Sequence, residues 1–272
     1  MSSALSSPAL LPLLQSVFER TGLDFRQYAM SSLKRRVQRQ VLLEGMESIE
    51  QLHQAVKGDA AVLNRIVSGL TVHVTSLFRD PGFFKAFRDQ AGLLRTYPYL
   101  RFWVAGCSTG EEVFSLAILL HEEGLYARSR IYATDLSPVV LERAKTGVYP
   151  LSAMQDYTRN YQRAGGTRSF AEYYTADNDN AILRPYLRDN VVYAAHNLAS
   201  DASFNDFNGV FCRNVMIYFD RDLQNRVHRL LHSSLLNWGY LGLGRSESIR
   251  FSITERAYET ISAKERLYRK IA

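Results

Sequence analysis

The run Trp103-Val-Ala-Gly-Cys-Ser-Thr-Gly-Glu-Glu112, with Asp135 following 23 residues later, constrains this chain more than any other feature. Arg101 to Ala105 is apolar after its first residue and reads as a buried strand. Gly106 to Gly110 supplies a tight turn, and Glu111 to His121 places Val113, Leu116, Ala117 and Leu120 at helical spacing. Strand, glycine turn and helix in that order make the corner at which an α/β sheet holds a nucleotide-like ligand. A dinucleotide site offers bare amide donors at the helix start to a pyrophosphate. Here two carboxylates, Glu111 and Glu112, stand at that start and would repel a phosphate. They suit a nucleoside carrying positive charge and no phosphate, such as S-adenosylmethionine with its sulfonium and ammonium groups. The second strand, Arg130 to Thr134, ends in Asp135, placed as an acceptor for both ribose hydroxyls.

Of the 272 residues 46% are apolar and 12% aromatic, enough for a substantial core. No apolar run approaches the ~20 residues of a membrane span, so no direct membrane insertion is expected. The two cysteines, Cys107 and Cys212, cannot build a disulfide framework; they read as buried filler in a cytoplasmic protein. The formal charge of +6 matters through its distribution. Arg26, Lys34, Arg35, Arg36 and Arg39 fall in a stretch with no acid between Asp24 and Glu44. On a helix Arg35 and Arg39 share one face, while Leu33, Val37 and Val41 mark another. Such a face fits an acidic protein surface or nucleic acid, or is merely solvated.

Residues from Pro8 to Leu70 contain no good strand. The expected helices are Leu10 to Arg20, Phe25 to Glu44 closed by Gly45, Ser48 to Lys57, and Ala60 to Gly69 capped by Asp59. Asp80-Pro81 then reads as a capped start for a helix from Pro81 to Leu94. From Tyr99 onward strands and helices alternate, which argues for a mostly parallel sheet covered on both faces. The expected strands are Arg101–Ala105, Arg130–Thr134, Val191–Ala195, Gly209–Cys212, Tyr240–Gly244 and Arg266–Ile271. Helices at Glu111–Glu122, Pro138–Lys145 and Arg221–Leu236 lie between them. The last two strands suit a final antiparallel pair. Between Lys145 and Asn190 the alternation fails amid tyrosines and turn signals, including Asp177-Asn178-Asp179-Asn180, so an insertion with a helix and short strands is expected at the sheet's edge. The expected boundaries are 8–78 for a helical domain, 79–98 for a linker helix, and 99–272 for the α/β domain with 146–190 inserted in it.

Several blocks, in order, resemble the CheR-type chemotaxis receptor methyltransferases, which methylate glutamates on bacterial chemoreceptors. They are Lys34-Arg35-Arg36-Val-Gln-Arg39, Leu70-Thr-Val-His-Val-Thr75-Ser-Leu-Phe-Arg79-Asp80-Pro81, Ala105-Gly-Cys-Ser-Thr-Gly-Glu-Glu112 and Tyr132-Ala-Thr-Asp135. His196-Asn197-Leu198, Phe211-Cys-Arg213-Asn214-Val-Met-Ile-Tyr218-Phe-Asp220 and Tyr240-Leu-Gly-Leu-Gly-Arg-Ser-Glu-Ser248 complete the set. The resemblance implies a class I adenosylmethionine-dependent methyltransferase sheet, mostly parallel with its last strand antiparallel. An N-terminal all-α domain and a small inserted β-subdomain go with it. It implies S-adenosylmethionine as cofactor, S-adenosylhomocysteine as product, and a cofactor site lined by His73, Thr75, Arg79, Glu112, Asp135, Asn197, Leu198, Arg213 and Asn214; the turn itself adds Gly106 and Glu111. Arg79 and Tyr218 are the expected catalytic residues, orienting an acceptor carboxylate, with Arg79 able to take the cofactor's carboxylate instead. A glutamate has a reference pKa of about 4.3 and is already a nucleophile at neutral pH, so no general base is required.

The expected partner is the cytoplasmic region of membrane chemoreceptors, docked on Lys34, Arg35, Arg36 and Arg39 by a monomeric enzyme. Three positions depart from the family pattern: His73 replaces an asparagine, Leu77 a phenylalanine, and Val113-Phe114 a Pro-Tyr pair. Members that bind a receptor's C-terminal pentapeptide show a Gly-x-Gly signal followed by another glycine; Ala164-Gly165-Gly166-Thr-Arg-Ser-Phe170 lacks that spacing, so no pentapeptide tether is expected. A nucleic-acid methyltransferase is disfavoured, because Arg213-Asn214-Val215-Met216 is not the Asn/Asp-Pro-Pro-aromatic loop of base methylation. Action on another signalling protein, or a cofactor-binding module with reduced catalysis, remain alternatives. His228 and His232 lie one helical turn apart without a third ligand, so no metal is expected.

Overall fold

The computed structural model describes residues 7–71 and 75–271, in two compact units. The first unit holds α1 (Ser7–Thr21), α2 (Met30–Leu43), α3 (Ile49–Gly58) and α4 (Ala60–Leu70), together with Tyr218–Arg226 from far along the chain. Apolar residues at helical spacing, among them Leu13, Val17, Leu33, Val37, Leu52, Val56 and Ile66, close its core. Ser48 caps α3 through the Gln51 amide, and Asp59 caps α4 by accepting from Ala61 and Val62. The second helix begins five residues later than expected. Asp24 captures the Arg26 backbone amide at 2.9 Å and its guanidinium at 2.8 Å, which turns the chain before it can wind. The non-helical stretch leaves Tyr28 to bridge to Phe219, ring against ring at 5.0 Å.

The second unit begins with α5 (Pro81–Arg88) and α6 (Ala91–Leu94), which replace the single helix read from sequence. The break falls where the Gln90 amide bonds to the carbonyl of Phe87, three residues back, and Leu93 and Leu94 restart from the Gln90 carbonyl. Residues 79–98, read as a linker, contribute Phe83, Phe84, Phe87 and Leu94 to this unit's core. There follow β1 (Leu100–Ala105), α7 (Glu111–Glu122), β2 (Ser129–Asp135), α8 (Pro138–Thr146), β3 (Val148–Pro150), α9 (Met154–Arg163), β4 (Tyr174–Asp177), β5 (Asn180–Leu183), β6 (Val191–Ala195) and β7 (Phe207–Cys212). Then come α10 (Arg221–Ser233), whose first six residues belong to the first unit, β8 (Leu235–Leu243), β9 (Tyr258–Ser262) and β10 (Leu267–Lys270).

Seven strands form one sheet in the order β6-β2-β1-β7-β8-β10-β9. The pairs β1/β2, β1/β7, β2/β6 and β7/β8 are parallel, and β10 is antiparallel to both its neighbours. This is the class I methyltransferase order with one reversed strand. The reversed strand is flanked by β9, which is absent from the expected strands; β8 also starts earlier than expected, and α10 ends at Ser233 rather than Leu236.

The insertion makes a second sheet of order β3-β5-β4. Aromatic residues of the insertion pack on the bend before α5 and on α7. Tyr161 meets Phe78 at 5.3 Å and Tyr149 meets Phe114 at 6.2 Å. The Glu122 carboxylate, on the last turn of α7, accepts from the hydroxyls of Tyr161 and Tyr173 and pairs with Arg88 at 2.6 Å. Those three contacts hold its carboxyl below the ordinary carboxylate range against the effect of burial.

Candidate active site at the carboxyl edge of the sheet

Because β1, β2, β6, β7 and β8 run parallel, their carboxyl ends share one edge, and the residues following each strand converge there. After β1 comes the glycine turn. Gly106 adopts φ +74°, and a Cβ on it would lie 2.5 Å from Cγ2 of Val215, so the loop after β7 rests directly on the turn. Ser108 is also left-handed at φ 50°; its amide donates to Oδ2 of Asp135 at 2.9 Å. The other Asp135 oxygen accepts from the Ser137 amide at 3.1 Å. Two backbone donors thus fix the Asp135 carboxylate while leaving lone pairs on both oxygens. The Ser108 hydroxyl beside it is buried without a hydrogen-bond partner among the described residues.

The two glutamates at the start of α7 do not act as a pair, which corrects the sequence reading. Glu111 turns aside: it accepts from the Thr109 hydroxyl at 2.6 Å and is hydrogen-bonded by Tyr157 of α9. It serves the junction with the insertion, and burial raises its carboxyl above the ordinary range. Glu112 faces the other way. One of its oxygens accepts from Arg213 at 3.0 Å; the other, Oε1, is buried with no hydrogen-bond partner among the described residues. Burial raises the Glu112 carboxyl too, with Arg213 opposing.

Arg213 holds this corner together. Its side chain is 1% exposed, and its guanidinium donates to Glu112, to Oδ2 of Asp80 at 3.0 Å and to the Arg79 carbonyl at 2.9 Å. The Phe83 ring lies 4.2 Å beneath it. With these groups engaged, Arg213 positions Glu112 and Arg79 more than it presents a charge of its own. Asp80, expected as a helix cap, makes no capping bond; at φ 54° its carboxylate serves Arg213 and, at 3.5 Å, Arg245. Arg79 therefore sits between two left-handed residues, since Phe78 has φ 53° with its amide on the Ser115 hydroxyl at 2.7 Å. Left-handed backbone at non-glycine positions costs roughly 1–2 kcal/mol per residue, which the buried Phe78 and the Asp80 ion pairs offset.

Asn214, at φ 60°, begins a loop whose amides point at one carboxylate the sequence reading gave no role. Glu247 accepts from the amides of Asn214, Val215, Ile217 and Gly244, at 2.9, 2.9, 3.3 and 2.6 Å. Its position between two serines, four residues past the end of β8, was the available signal. At the end of β6 the Asn197 side chain accepts the Ala199 amide at 2.9 Å and Leu198 is buried, a closed turn suited to an adenine edge. Thr75 is half-buried just before the Phe78–Asp80 bend, while His73 lies outside the described residues. Burial pushes both cysteine thiols up, so neither is a nucleophile. Among the described residues no group of three or more side chains could hold a metal ion; His232 packs edge-on to Tyr258 at 5.5 Å.

Tyr218 belongs to the first unit. Its ring lies 4.3 Å from the guanidinium carbon of Arg36, which also donates to the Leu70 carbonyl. Arg36 is 8% exposed, so it is not part of the basic surface, contrary to the sequence reading; its i+3 and i+4 spacing places it on the inner face with Leu33 and Gln40. Arg35 and Arg39 are exposed and Lys34 is half-buried.

A family model described as the CheR methyltransferase SAM-binding domain matches residues 73–266, and the CheR methyltransferase all-alpha domain matches residues 9–71. The chain belongs to the CheR methyltransferase family. A Pseudomonas putida protein, Cher3, whose name marks its methyltransferase activity as unproven, is 45% identical over 259 residues, 95% of either chain. The chemotaxis protein methyltransferase 1 of Pseudomonas aeruginosa is 32% identical over 82% of this chain and 83% of its own. The chemotaxis protein methyltransferase of Salmonella typhimurium is 27% identical over 93% and 88%. S-adenosylmethionine is the cofactor of the CheR sheet domain, and the corner fits it. The unpartnered Oε1 of Glu112 suits the ammonium group, the Asp135 oxygens suit the ribose hydroxyls, and the Ser108 hydroxyl offers a further polar contact. No helix among the described residues is long and apolar enough to cross a membrane.

Proposed function

We propose that this chain transfers methyl groups from S-adenosylmethionine to glutamate carboxylates in the cytoplasmic region of bacterial chemoreceptors, giving glutamyl methyl esters. The observation that carries the reading is the Glu112 carboxylate, locked on one side by Arg213 and unpartnered on the other, next to Asp135 at the glycine turn. The unpartnered Glu112 oxygen and the Asp135 carboxylate give the corner acceptors that suit a cationic donor. When bound, the cofactor supplies an electrophilic methyl group on sulfur.

The chain's own work is alignment and exclusion of water, a class of effect worth up to roughly 7–11 kcal/mol. A carboxylate acceptor needs no proton removed. Arg79, its carbonyl tied to Arg213, is the residue proposed to orient the acceptor carboxylate. Lys34, Arg35 and Arg39 are proposed to dock the acidic receptor bundle, with the enzyme acting as a cytoplasmic monomer. Gly165 and Gly166 lie in the turn that closes α9, where the Gly166 amide bonds to the Tyr161 carbonyl, and not in the β4–β5 hairpin. That use of the glycines supports a receptor interaction without pentapeptide tethering.

The test is transfer of labelled methyl from S-adenosylmethionine to a receptor cytoplasmic fragment, with the label mapped to base-labile glutamyl esters. Arg79→Ala is expected to lower transfer by a factor of about 100 or more while the protein still binds S-adenosylhomocysteine. Binding of S-adenosylhomocysteine with no ester formed on any host receptor would remove the assignment.

A further inference from the structure

We infer that Glu247 is a positioning residue for the cofactor corner, acting through the loop Arg213–Ile217; the inference rests on the methyltransferase reading above. Its carboxylate is buried and accepts from the backbone amides of Asn214, Val215 and Ile217 on that loop and of Gly244 just past β8. Few arrangements tie two strand exits together through one side chain. The loop has no regular structure before the short turn Met216–Tyr218, so these bonds stand in for the ladder it lacks.

What the loop carries gives Glu247 its consequence. Arg213 immediately precedes the clamped amides and fixes Glu112 and the Arg79 carbonyl. Val215, whose own amide is clamped, lies over Gly106 with no room for a Cβ between them. Asn214 is held at φ 60°, a conformation a free asparagine leaves readily. Gly244 meets the same cluster: a Cβ there would stand 2.7 Å from the Asn214 amide and 2.8 Å from the Glu247 oxygen. The side chain that orients Glu112 and the one that closes the glycine turn therefore depend on a single carboxylate remote in sequence from both. Glu247→Gln keeps the shape but places an NH2 group against backbone N–H donors, and it removes the charge that two amides per oxygen require.

The test compares wild type with Glu247→Gln and Glu247→Asp, each well below its melting midpoint. Hydrogen exchange is read at the amides of Asn214, Val215 and Ile217, and S-adenosylhomocysteine affinity by calorimetric titration. Glu247→Gln is expected to speed exchange at those amides at least tenfold with α7 and β1 amides unchanged, and to weaken S-adenosylhomocysteine at least tenfold. Glu247→Asp, which keeps the charge on a shorter stem, is expected to fall between the two in both readouts, and it carries the test if the glutamine variant does not fold. Faster exchange with wild-type cofactor affinity would make Glu247 a fold element only and overturn the inference. A wild-type chain that binds S-adenosylhomocysteine but methylates no receptor would sink the acceptor assignment while leaving this test intact.

Discussion

Replacing Arg213 by methionine keeps an apolar stem against Phe83 and Phe84 and deletes the guanidinium that serves Glu112, Asp80 and the Arg79 carbonyl. Removing one partner of a buried ion pair typically costs about 3–5 kcal/mol, because the remaining charge stays desolvated. Here the Glu112 and Asp80 side chains retain 14% and 20% of their exposure, and Asp80 keeps Arg245 at 3.5 Å. The lower end, about 3 kcal/mol, is therefore expected for Arg213→Met. Adding Glu112→Gln removes the stranded charge and should recover part of that loss, giving a coupling of about 1–3 kcal/mol in the double-mutant cycle. Both tryptophans, Trp103 and Trp238, lie in the sheet unit, so urea unfolding followed by their fluorescence reports on that unit. A cost below about 1 kcal/mol for Arg213→Met, or a coupling indistinguishable from zero, would refute the view that Arg213 holds the corner together.

Four further outcomes are expected. Asp135→Ala should weaken S-adenosylhomocysteine by about 2–4 kcal/mol in calorimetric titration, since it removes a charged acceptor for two hydroxyls and frees the Ser108 amide. The double reversal Arg35→Glu with Arg39→Glu should lower receptor methylation several-fold and leave cofactor affinity unchanged. By contrast Arg36→Glu, which reverses a buried charge stacked on Tyr218, should lower the melting midpoint of the helical unit. Glu111 has its folded carboxyl raised by burial, so its contribution to stability is present below the ordinary carboxylate value and lost as pH rises to the folded value. Urea titrations carried upward in pH from the ordinary carboxylate value should show that loss in the wild type and a flatter profile in Glu111→Gln.

The sheet was legible because its strands are short apolar runs separated by glycine and acidic punctuation, and the β1–Gly106–α7 corner carries its geometry in adjacent residues. The limits lie where a distant group overrides local preference. Asp80-Pro81 reads as a helix cap until Arg213, 133 residues away, claims the carboxylate. Glu111 and Glu112 look equivalent in sequence, and only Tyr157 and Arg213 on opposite sides separate their roles. The Arg36 charge reads as surface until the Tyr218 ring is placed over it. Strand β9 was missed because its outward residues Glu259 and Thr260 face water at the sheet's outer edge, so its pattern looks like a polar connection.

The return of Tyr218–Arg226 to the helical unit makes the chain poorly suited to modular exchange. A fragment ending near residue 71 would lack the Tyr218 ring over Arg36 and the Phe219 ring beside Tyr28, and so would uncover the Arg36 guanidinium. Grafting the N-terminal helices of one relative onto the sheet of another would force together two halves of an interior that had never been selected as a match. The outward residues of α2, Arg35 and Arg39 among them, can vary without disturbing that shared interior.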